Sequence, residues 1–218
     1  MFFRKSKAKW NVLNDKDKNI VNLYMSVILK RKELIDNLFW IPKSRDLFLD
    51  FKGEIRDENH TFEIPDPLQA AKYLYCIRYS FNKLIHTPFS MNKDMNKDWE
   101  AELTYSRKFL GGATIENLDF AELIDRYKPR KGDFWYLDPP YIVATEKGTY
   151  YNHSFTMKDH ERLRESVQKI HDAGGYFMVS YDYREEVADL YQDFDCRTLD
   201  WKYVGATDEA RQKGRKEY

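Results

Sequence analysis

The stretch that most constrains how this chain can fold is the octapeptide 134–141, which reads Phe-Trp-Tyr-Leu-Asp-Pro-Pro-Tyr. Its first four residues are bulky and apolar or aromatic, which is typical of a buried central strand in a parallel sheet. Pro139 and Pro140 lack backbone N–H groups and fix φ, so the chain must leave the sheet as a stiff turn. Ligands of open α/β sheets bind outside the carboxyl ends of the strands. The turn therefore predicts a site with a carboxylate (Asp138), a carbonyl (Pro139) and a ring (Tyr141), which suits a planar substrate that has an amino group.

Asp-Pro-Pro-Tyr after a hydrophobic strand resembles the catalytic motif of the adenine-N6 DNA methyltransferases, and residues 2–217 resemble the Dam-like class of that family. The resemblance implies an α/β fold with a Rossmann-like sheet and a target adenine that is flipped out of the duplex. In the family, the Asp side chain and the first Pro carbonyl bind the adenine amino group, and the Tyr stacks on the ring. By position, these catalytic roles fall to Asp138, Pro139 and Tyr141, with Pro140 completing the motif. The alternative, from the four letters alone, is a proline turn that closes an edge strand.

Two further acids, Asp15 and Asp119, each follow a strand-like run. The resemblance implies that Asp15 binds the ribose of the cofactor S-adenosylmethionine. It also implies that Asp119 binds the adenine amino group of the cofactor, that Phe120 stacks on this adenine, and that Asp138 borders the cofactor. The alternatives are that both acids are helix caps and that Phe120 is a core residue. Three acids at strand ends are a stronger signal for a site than any one of them.

The apolar spacing from residue 20 to residue 38 predicts one amphipathic helix, and Asp66-Pro67 predicts the start of another. Strand-like runs are missing between residues 42 and 109, where charge is dense. We therefore expect residues 1–41 and 110–218 to form the Rossmann-like core and residues 42–109 to form a helical insert.

The resemblance implies that this insert recognises the DNA target. The residues at the matching places are Arg78, Tyr79, Asn82 and Asn92. Arg and Asn side chains read guanine and adenine through paired hydrogen bonds, but a surface or packing role stays open for each residue. Near the end of the chain, a basic segment is similar to a loop that lies close to DNA in the family. Its residues are Arg211, Lys213 and Arg215, and a disordered basic tail is the alternative.

Cofactor binding in the family also uses a glycine-rich turn after the first strand. None of the 9 glycines of the chain forms a strand–Gly-x-Gly–helix arrangement. We therefore expect an incomplete sheet that lacks its first βα unit and exposes an apolar edge. Either a companion chain supplies this N-terminal unit, or the chain is a truncated enzyme.

Composition limits the partners. The 36 basic and 36 acidic residues balance, so DNA binding must come from local patches of charge. The 2 cysteines and 5 histidines have no metal-ligand spacing, which predicts that no metal is bound. The sequence shows no signal peptide and no long apolar segment, so we expect a cytoplasmic protein without membrane contact.

Together these features predict a site-specific DNA methyltransferase. The enzyme would transfer a methyl group from S-adenosylmethionine to the N6 amine of a flipped adenine in double-stranded DNA, without a metal. One alternative is a catalytically inactive DNA-binding remnant of such an enzyme. Another is an amine or amide methyltransferase that acts on a different substrate. Such enzymes often have Asn-Pro-Pro-Tyr, so Asp138 and the large insert count against that alternative.

Overall fold

The computed structural model describes residues 8–57, 59–81, 85, 87–90, 98–141, 155–181, 184–201 and 215–217, with the backbone alone at 200, 201 and 215–217. The elements in chain order are β1 (Val12–Asn14), α1 (Lys18–Leu29), α2 (Arg31–Trp40), α3 (Arg45–Arg56), α4 (Pro67–Tyr79), α5 (Trp99–Leu110), β2 (Thr114–Glu116), α6 (Phe120–Tyr127), β3 (Phe134–Leu137), α7 (Met157–Asp172), β4 (Tyr176–Val179), α8 (Glu185–Leu190), β5 (Leu199–Trp201) and β6 (Arg215–Glu217). The chain divides into two compact units, residues 1–119 and residues 120–218. It is an α/β protein with many helices and small sheets, which confirms the broad class expected from the sequence.

The first unit is organised around α4, which packs against α1, α2 and α3. Ala70 and Ala71 of α4 are fully buried, and such small side chains let neighbouring helices approach closely. One apolar cluster of this unit consists of Val27, Leu34, Leu38, Ala70, Ala71, Leu103 and Leu110. A second cluster joins α3 to α4 through Phe48, Ile55, Tyr73, Tyr75, Cys76 and Tyr79. A helix near the middle of this unit's sequence is therefore its structural centre.

Helix boundaries in the first unit confirm one prediction and correct another. The Asp66 side chain caps α4, and Pro67 is the first helical residue, as the sequence predicts. The prediction of a single helix over residues 20–38 is wrong. Lys30 adopts φ −128° and ψ 29°, outside the helical region, so α1 ends at Leu29 and α2 begins at Arg31. The apolar spacing continues across this break, which is why periodicity alone does not reveal it.

The sheet of the second unit pairs β3 with β4 in parallel, from Phe134 opposite Tyr176 to Leu137 opposite Val179. One face of this pair packs on a buried cluster from α7, α8 and their flanks: Leu163, Val167, Tyr181, Val187 and Tyr191. The helix α7 begins with a capping box between Thr156 and Asp159.

The other face of the β3–β4 pair is open. Phe134 is 51% exposed and Tyr136 is 44% exposed, and their neighbours on β4, Tyr176 and Met178, are 68% and 48% exposed. The expectation that β3 is buried on both faces is therefore wrong. The strand alternates between exposed and half-buried residues because only one of its faces packs on the cluster from α7 and α8.

The strands β5 and β6 form a separate antiparallel pair, with Leu199 opposite Glu217 and Trp201 opposite Arg215. Within the described part of the chain, every helix is too short or too polar to cross a lipid bilayer.

Candidate active site

The Asp138–Tyr141 turn directly follows the carboxyl end of β3. Asp138 is exposed, Pro139 is buried and Pro140 is half-buried. Among the described residues, no backbone N–H donates to the carbonyl oxygen of Pro139. An exposed carboxylate and a backbone acceptor therefore lie next to each other where the strand ends. Two acceptors on adjacent residues can bind the two hydrogens of one amino group.

Tyr141 completes the turn with a half-buried ring. The ring packs against the cluster formed by α7 and α8, so its position depends on the core of the second unit. It is not among the fully buried side chains, and a partly exposed ring on a firm support is suited to stacking on a planar group.

A hydroxyl that the sequence analysis missed contacts the Asp138 carboxylate. Ser180 Oγ donates a hydrogen bond to Asp138 Oδ1 at 2.8 Å, and Tyr136 Oη lies 3.2 Å from the same Ser180 Oγ. The backbone N–H of Ser180 donates to the Leu137 carbonyl at 3.1 Å, which extends the β3–β4 ladder by one residue. The strand register thus brings Ser180 beside Asp138. The signal in the sequence was a polar residue at the end of the strand that follows the Asp-Pro-Pro-Tyr strand.

The segment after β4 is anchored by a buried histidine of α7. His160 Nδ1 lies 2.8 Å from Tyr181 Oη, and both rings are almost fully buried. Burial lowers the pKa of His160, because the imidazolium loses hydration, and the nearby Asp159 charge opposes this only in part. Burial also raises the pKa of the Tyr181 hydroxyl. A neutral imidazole paired with a neutral phenol therefore holds the residue next to Ser180.

In the first unit, Asn14 joins the carboxyl ends of β1 and β2, which are paired in parallel. The Asn14 side chain donates to the Leu118 carbonyl at 3.0 Å and accepts from the Leu118 N–H at 2.9 Å. Asn117 donates in turn to the carbonyls of Asp15 and Lys16, at 2.8 and 3.1 Å. These bonds tie the segment that leads to Asp119 to the segment that contains Asp15.

Asp15 does not cap a helix, which removes the alternative considered for it. The cap of α1 is Asp17, whose side chain accepts from the Asn19 N–H. Asp15 is half-buried, and its Oδ1 accepts the Asp17 N–H at 2.8 Å. Its charge also contributes, after burial, to raising the pKa of the Tyr24 hydroxyl. Asp15 is therefore a fixed negative charge at the carboxyl edge of the β1–β2 pair.

Asp119 and Phe120 lie at the boundary between the two units, with Asp119 half-buried as the last residue of the first. Phe120 is the first residue of α6 and packs against the core of the second unit. Its ring lies 5.8 Å from the Phe155 ring, and the Arg162 guanidinium lies 5.0 Å from its centroid. Phe120 therefore has the packed environment that the core alternative describes.

The described residues fit one end of S-adenosylmethionine better than the other. Asp15 and Asp119 are acidic side chains after parallel strands, which suits ribose hydroxyls and an adenine amino group. A glycine-rich cofactor turn lies after a strand and before a helix. Gly112, Gly132 and Gly174 have positive φ values of 84°, 88° and 75°, but each lies between a helix and the strand that follows. The part of the chain that the structure describes therefore contains no such turn for the methionine end.

The predictions for the residues expected to contact DNA have different outcomes. Arg78 is half-buried in the last turn of α4. Tyr79 is 1% exposed, and its ring packs against Tyr75 and Phe89, so the structure places it in the packing role. Arg215 lies in β6, where only the backbone is described. Four predicted residues lie outside the described residues: Asn82, Asn92, Arg211 and Lys213. In the described ranges, no group of three or more His, Cys, Asp or Glu side chains is placed to hold a metal ion.

Comparison with known proteins identifies a family and a relative of this chain. The model of the D12 class of N6 adenine-specific DNA methyltransferases matches residues 1–204. The Type II methyltransferase M1.LlaDCHI of Lactococcus lactis subsp. cremoris is 26% identical over 216 residues, which cover 92% of this chain and 74% of the relative. The family match includes the strands β1 to β5 and the turn at Asp138–Tyr141.

Proposed function

Because the chain belongs to the D12 class of N6 adenine-specific DNA methyltransferases, we propose that its Asp138–Tyr141 turn binds the target adenine during methyl transfer to N6. The observation that supports this assignment is the exposed Asp138 carboxylate next to the Pro139 carbonyl, at the carboxyl end of a parallel strand. DNA is the substrate of this family, and the flipped adenine would enter the turn from the duplex.

Each residue of the turn has a separate task in this proposal. The Asp138 carboxylate and the Pro139 carbonyl accept one hydrogen bond each from the adenine amino group. These two bonds make the nitrogen lone pair, which is otherwise shared with the ring, available for attack. Tyr141 stacks on the base, and Pro140 keeps the turn stiff. S-adenosylmethionine, when bound, would supply an electrophilic methyl group, and its sulfonium sulfur would keep the electron pair of the broken S–C bond. Orientation and electrostatic stabilisation by fixed acceptors then lower the barrier, and the proton that leaves the nitrogen passes to Asp138 or to water.

The residues assigned to the cofactor are Asp15, Asp119, Phe120 and Asp138. Asp15 would accept from the ribose hydroxyls, and Asp119 would accept from the adenine amino group of the cofactor. Two observations support the role of Asp15: Asp17, not Asp15, caps α1, and the Asp15 carboxylate has a fixed position at a strand end. Phe120 would need to offer the part of its ring that Phe155 and Arg162 leave uncovered.

A Rossmann-like sheet is part of this proposal, and the parallel strand pairs β1–β2 and β3–β4 each support it separately. Parallel strands are normally found in larger sheets with both faces covered, whereas each pair here has two strands and β3–β4 has an apolar open face. A further βα unit with the glycine-rich turn would complete the sheet. It would come from outside the described residues, either from the same protein or from a companion chain.

DNA recognition is assigned to the helical insert, residues 42–109, within a core formed by residues 1–41 and 110–218. Arg78, Asn82 and Asn92 would contact the target sequence, whereas Tyr79 is packed in the core of the first unit. The basic residues Arg211, Lys213 and Arg215 would contact phosphates, which provide affinity without sequence information.

The experiment measures the transfer of a tritiated methyl group to DNA and identifies the product by mass spectrometry of the hydrolysed nucleosides. The chain is assayed alone and with a polypeptide from an active family member that supplies a strand, a glycine-rich turn and a helix. Appearance of N6-methyladenine in either mixture supports the proposal. A different modified base would contradict it. DNA binding without transfer in both mixtures would support an inactive DNA-binding remnant, which the lack of a glycine-rich turn among the described residues favours.

A further inference from the structure

We infer that Tyr136 and Ser180 form a directed hydrogen-bond relay that positions the Asp138 carboxylate for the target amino group. This inference rests on the proposed function of Asp138 and adds two residues to it. Both are polar groups at the carboxyl edge of the β3–β4 pair, and their hydroxyls and the carboxylate form a continuous chain with distances of 3.2 and 2.8 Å.

The direction of the relay follows from counting protons. A serine hydroxyl has one hydrogen, and Ser180 uses it to donate to Asp138 Oδ1. Ser180 Oγ can then only accept from Tyr136, so the phenol must be the donor in the contact at 3.2 Å. The Tyr136 hydroxyl thus holds the serine oxygen and orients its single hydrogen toward the carboxylate. Donors in a chain of this kind strengthen one another.

The geometry separates the two oxygens of Asp138. Oδ1 is occupied by Ser180, so Oδ2 is the oxygen that would face an amino group. An exposed aspartate with no partner would rotate between rotamers, and binding the target amino group would then cost the conformational entropy of fixing one of them. Ser180 is well suited to prevent this, because its own backbone N–H is bonded to the Leu137 carbonyl at 3.1 Å and a serine has one side-chain torsion to fix.

The ordinary interpretation of such hydrogen bonds is that they lie on a polar surface and contribute little to stability or function. Tyr136 argues against it, because its ring lies on the open apolar face with 44% exposure and its hydroxyl still reaches the serine instead of water alone. Tyr176 provides an internal comparison. It is 68% exposed on the same face of the sheet, and among the described residues its hydroxyl has no hydrogen-bond partner.

The first test compares the steady-state kinetics of Ser180→Ala, Ser180→Thr and Tyr136→Phe with those of the natural protein, in the mixture that shows methyl transfer. A positioning role predicts that Ser180→Ala lowers kcat by about 10- to 100-fold with KM for DNA unchanged. Ser180→Thr, which keeps the hydroxyl, should recover most of that loss, and Tyr136→Phe should lower kcat by about 2- to 10-fold. The matched control Tyr176→Phe should leave kcat unchanged. Equal kcat values for Ser180→Ala and the natural protein would overturn the inference.

A double-mutant comparison tells positioning from a general structural effect. In the Asp138→Ala background, the acceptor that the relay orients is absent, so adding Ser180→Ala should lower the residual kcat by less than about 3-fold. A loss as large as in the natural background would show that Ser180 acts on something other than Asp138, and would overturn the inference.

The second test does not depend on activity. Room-temperature crystal structures of the natural protein and of Ser180→Ala should show Asp138 in one rotamer in the first and in more than one in the second. If Asp138 keeps one rotamer in both, the inference is wrong whatever the enzyme does. If the rotamers change as expected but the natural protein transfers no methyl group, the relay stands and the proposed function fails.

Discussion

Replacing Asn14 with Ala should loosen the edge of the first unit that leads to both Asp15 and Asp119. The Asn14 side chain makes two hydrogen bonds to the backbone of Leu118, one in each direction. The substitution removes both and leaves a half-buried N–H and C=O without these partners. A net contribution of about 0.5–1.5 kcal/mol for each bond gives a loss of roughly 1–3 kcal/mol in the free energy of unfolding.

Hydrogen exchange measures this loss at the affected atom. The Leu118 amide is protected by Asn14 Oδ1, so in Asn14→Ala it should exchange about 30-fold faster, as a loss near 2 kcal/mol, the middle of that range, implies. The Ile115 amide in β2 lies opposite Leu13 in the ladder and should change less. In Asn14→Asp, the Leu118 amide should exchange at a rate between those of the natural protein and Asn14→Ala. Aspartate keeps the acceptor for the Leu118 N–H but loses the donor to the Leu118 carbonyl.

The control is Asn37→Ala, a substitution of the same kind in α2 of the same unit. Alanine is the better helix former, so the free energy of unfolding should stay equal or rise slightly. If Leu118 exchanges at the same rate in Asn14→Ala as in the natural protein, the bridge does not hold this edge. The assignment of Asp15 and Asp119 to one cofactor site would then lose its structural support.

Three further predictions concern stability and reactivity. Burial lowers the pKa of His160 below the unfolded value near 6.5, so the contribution of His160 to the free energy of unfolding is complete above about pH 6.5 and is lost as pH falls through the folded pKa. Between pH 7.5 and pH 5.5, denaturation curves should therefore show a smaller drop in the free energy of unfolding for His160→Asn than for the natural protein. Gly53 is exposed in α3 and an added Cβ would meet nothing within 4 Å, so Gly53→Ala should raise the free energy of unfolding by about 0.5–1 kcal/mol in urea titrations. Burial raises the pKa of the Cys76 thiol to about 12, so Ellman's reagent should label exposed Cys196 in the folded protein and Cys76 only after unfolding; rapid labelling of both would contradict this packing.

The sequence predicts local structure best where one residue type decides it. Asp66-Pro67 predicts the start of α4, because the Asp66 side chain accepts the Gln69 N–H and Pro67 has no N–H group that needs a partner. In the same way, Pro139 and Pro140 predict that β3 ends before Asp138, because proline has no N–H group for a strand ladder.

What the sequence could not predict depends on partners far along the chain. The break at Lys30 has no glycine or proline to announce it, and the open face of β3 is decided by what packs on the sheet. Ser180 acquires its contact with Asp138 only through the register of β3 and β4, which are separated by about forty residues along the chain. Tyr79 and Arg78 are adjacent in sequence, yet one is buried and the other half-buried, because the last turn of α4 presents them to different surroundings.

The central claim is that the Asp138 carboxylate binds the adenine amino group, and two aspartates at opposite ends of β3 allow it to be tested directly. Asp133 precedes the strand and accepts the Arg130 N–H in a turn, whereas Asp138 follows the strand at the proposed site. The measurement is the single-turnover rate of methyl transfer to DNA by Asp138→Ala and by Asp133→Ala. We predict a loss of at least about 100-fold for Asp138→Ala, as for the removal of one group that stabilises a transition state, and a rate within about 3-fold of the natural protein for Asp133→Ala. Equal rates for the two variants would contradict the claim.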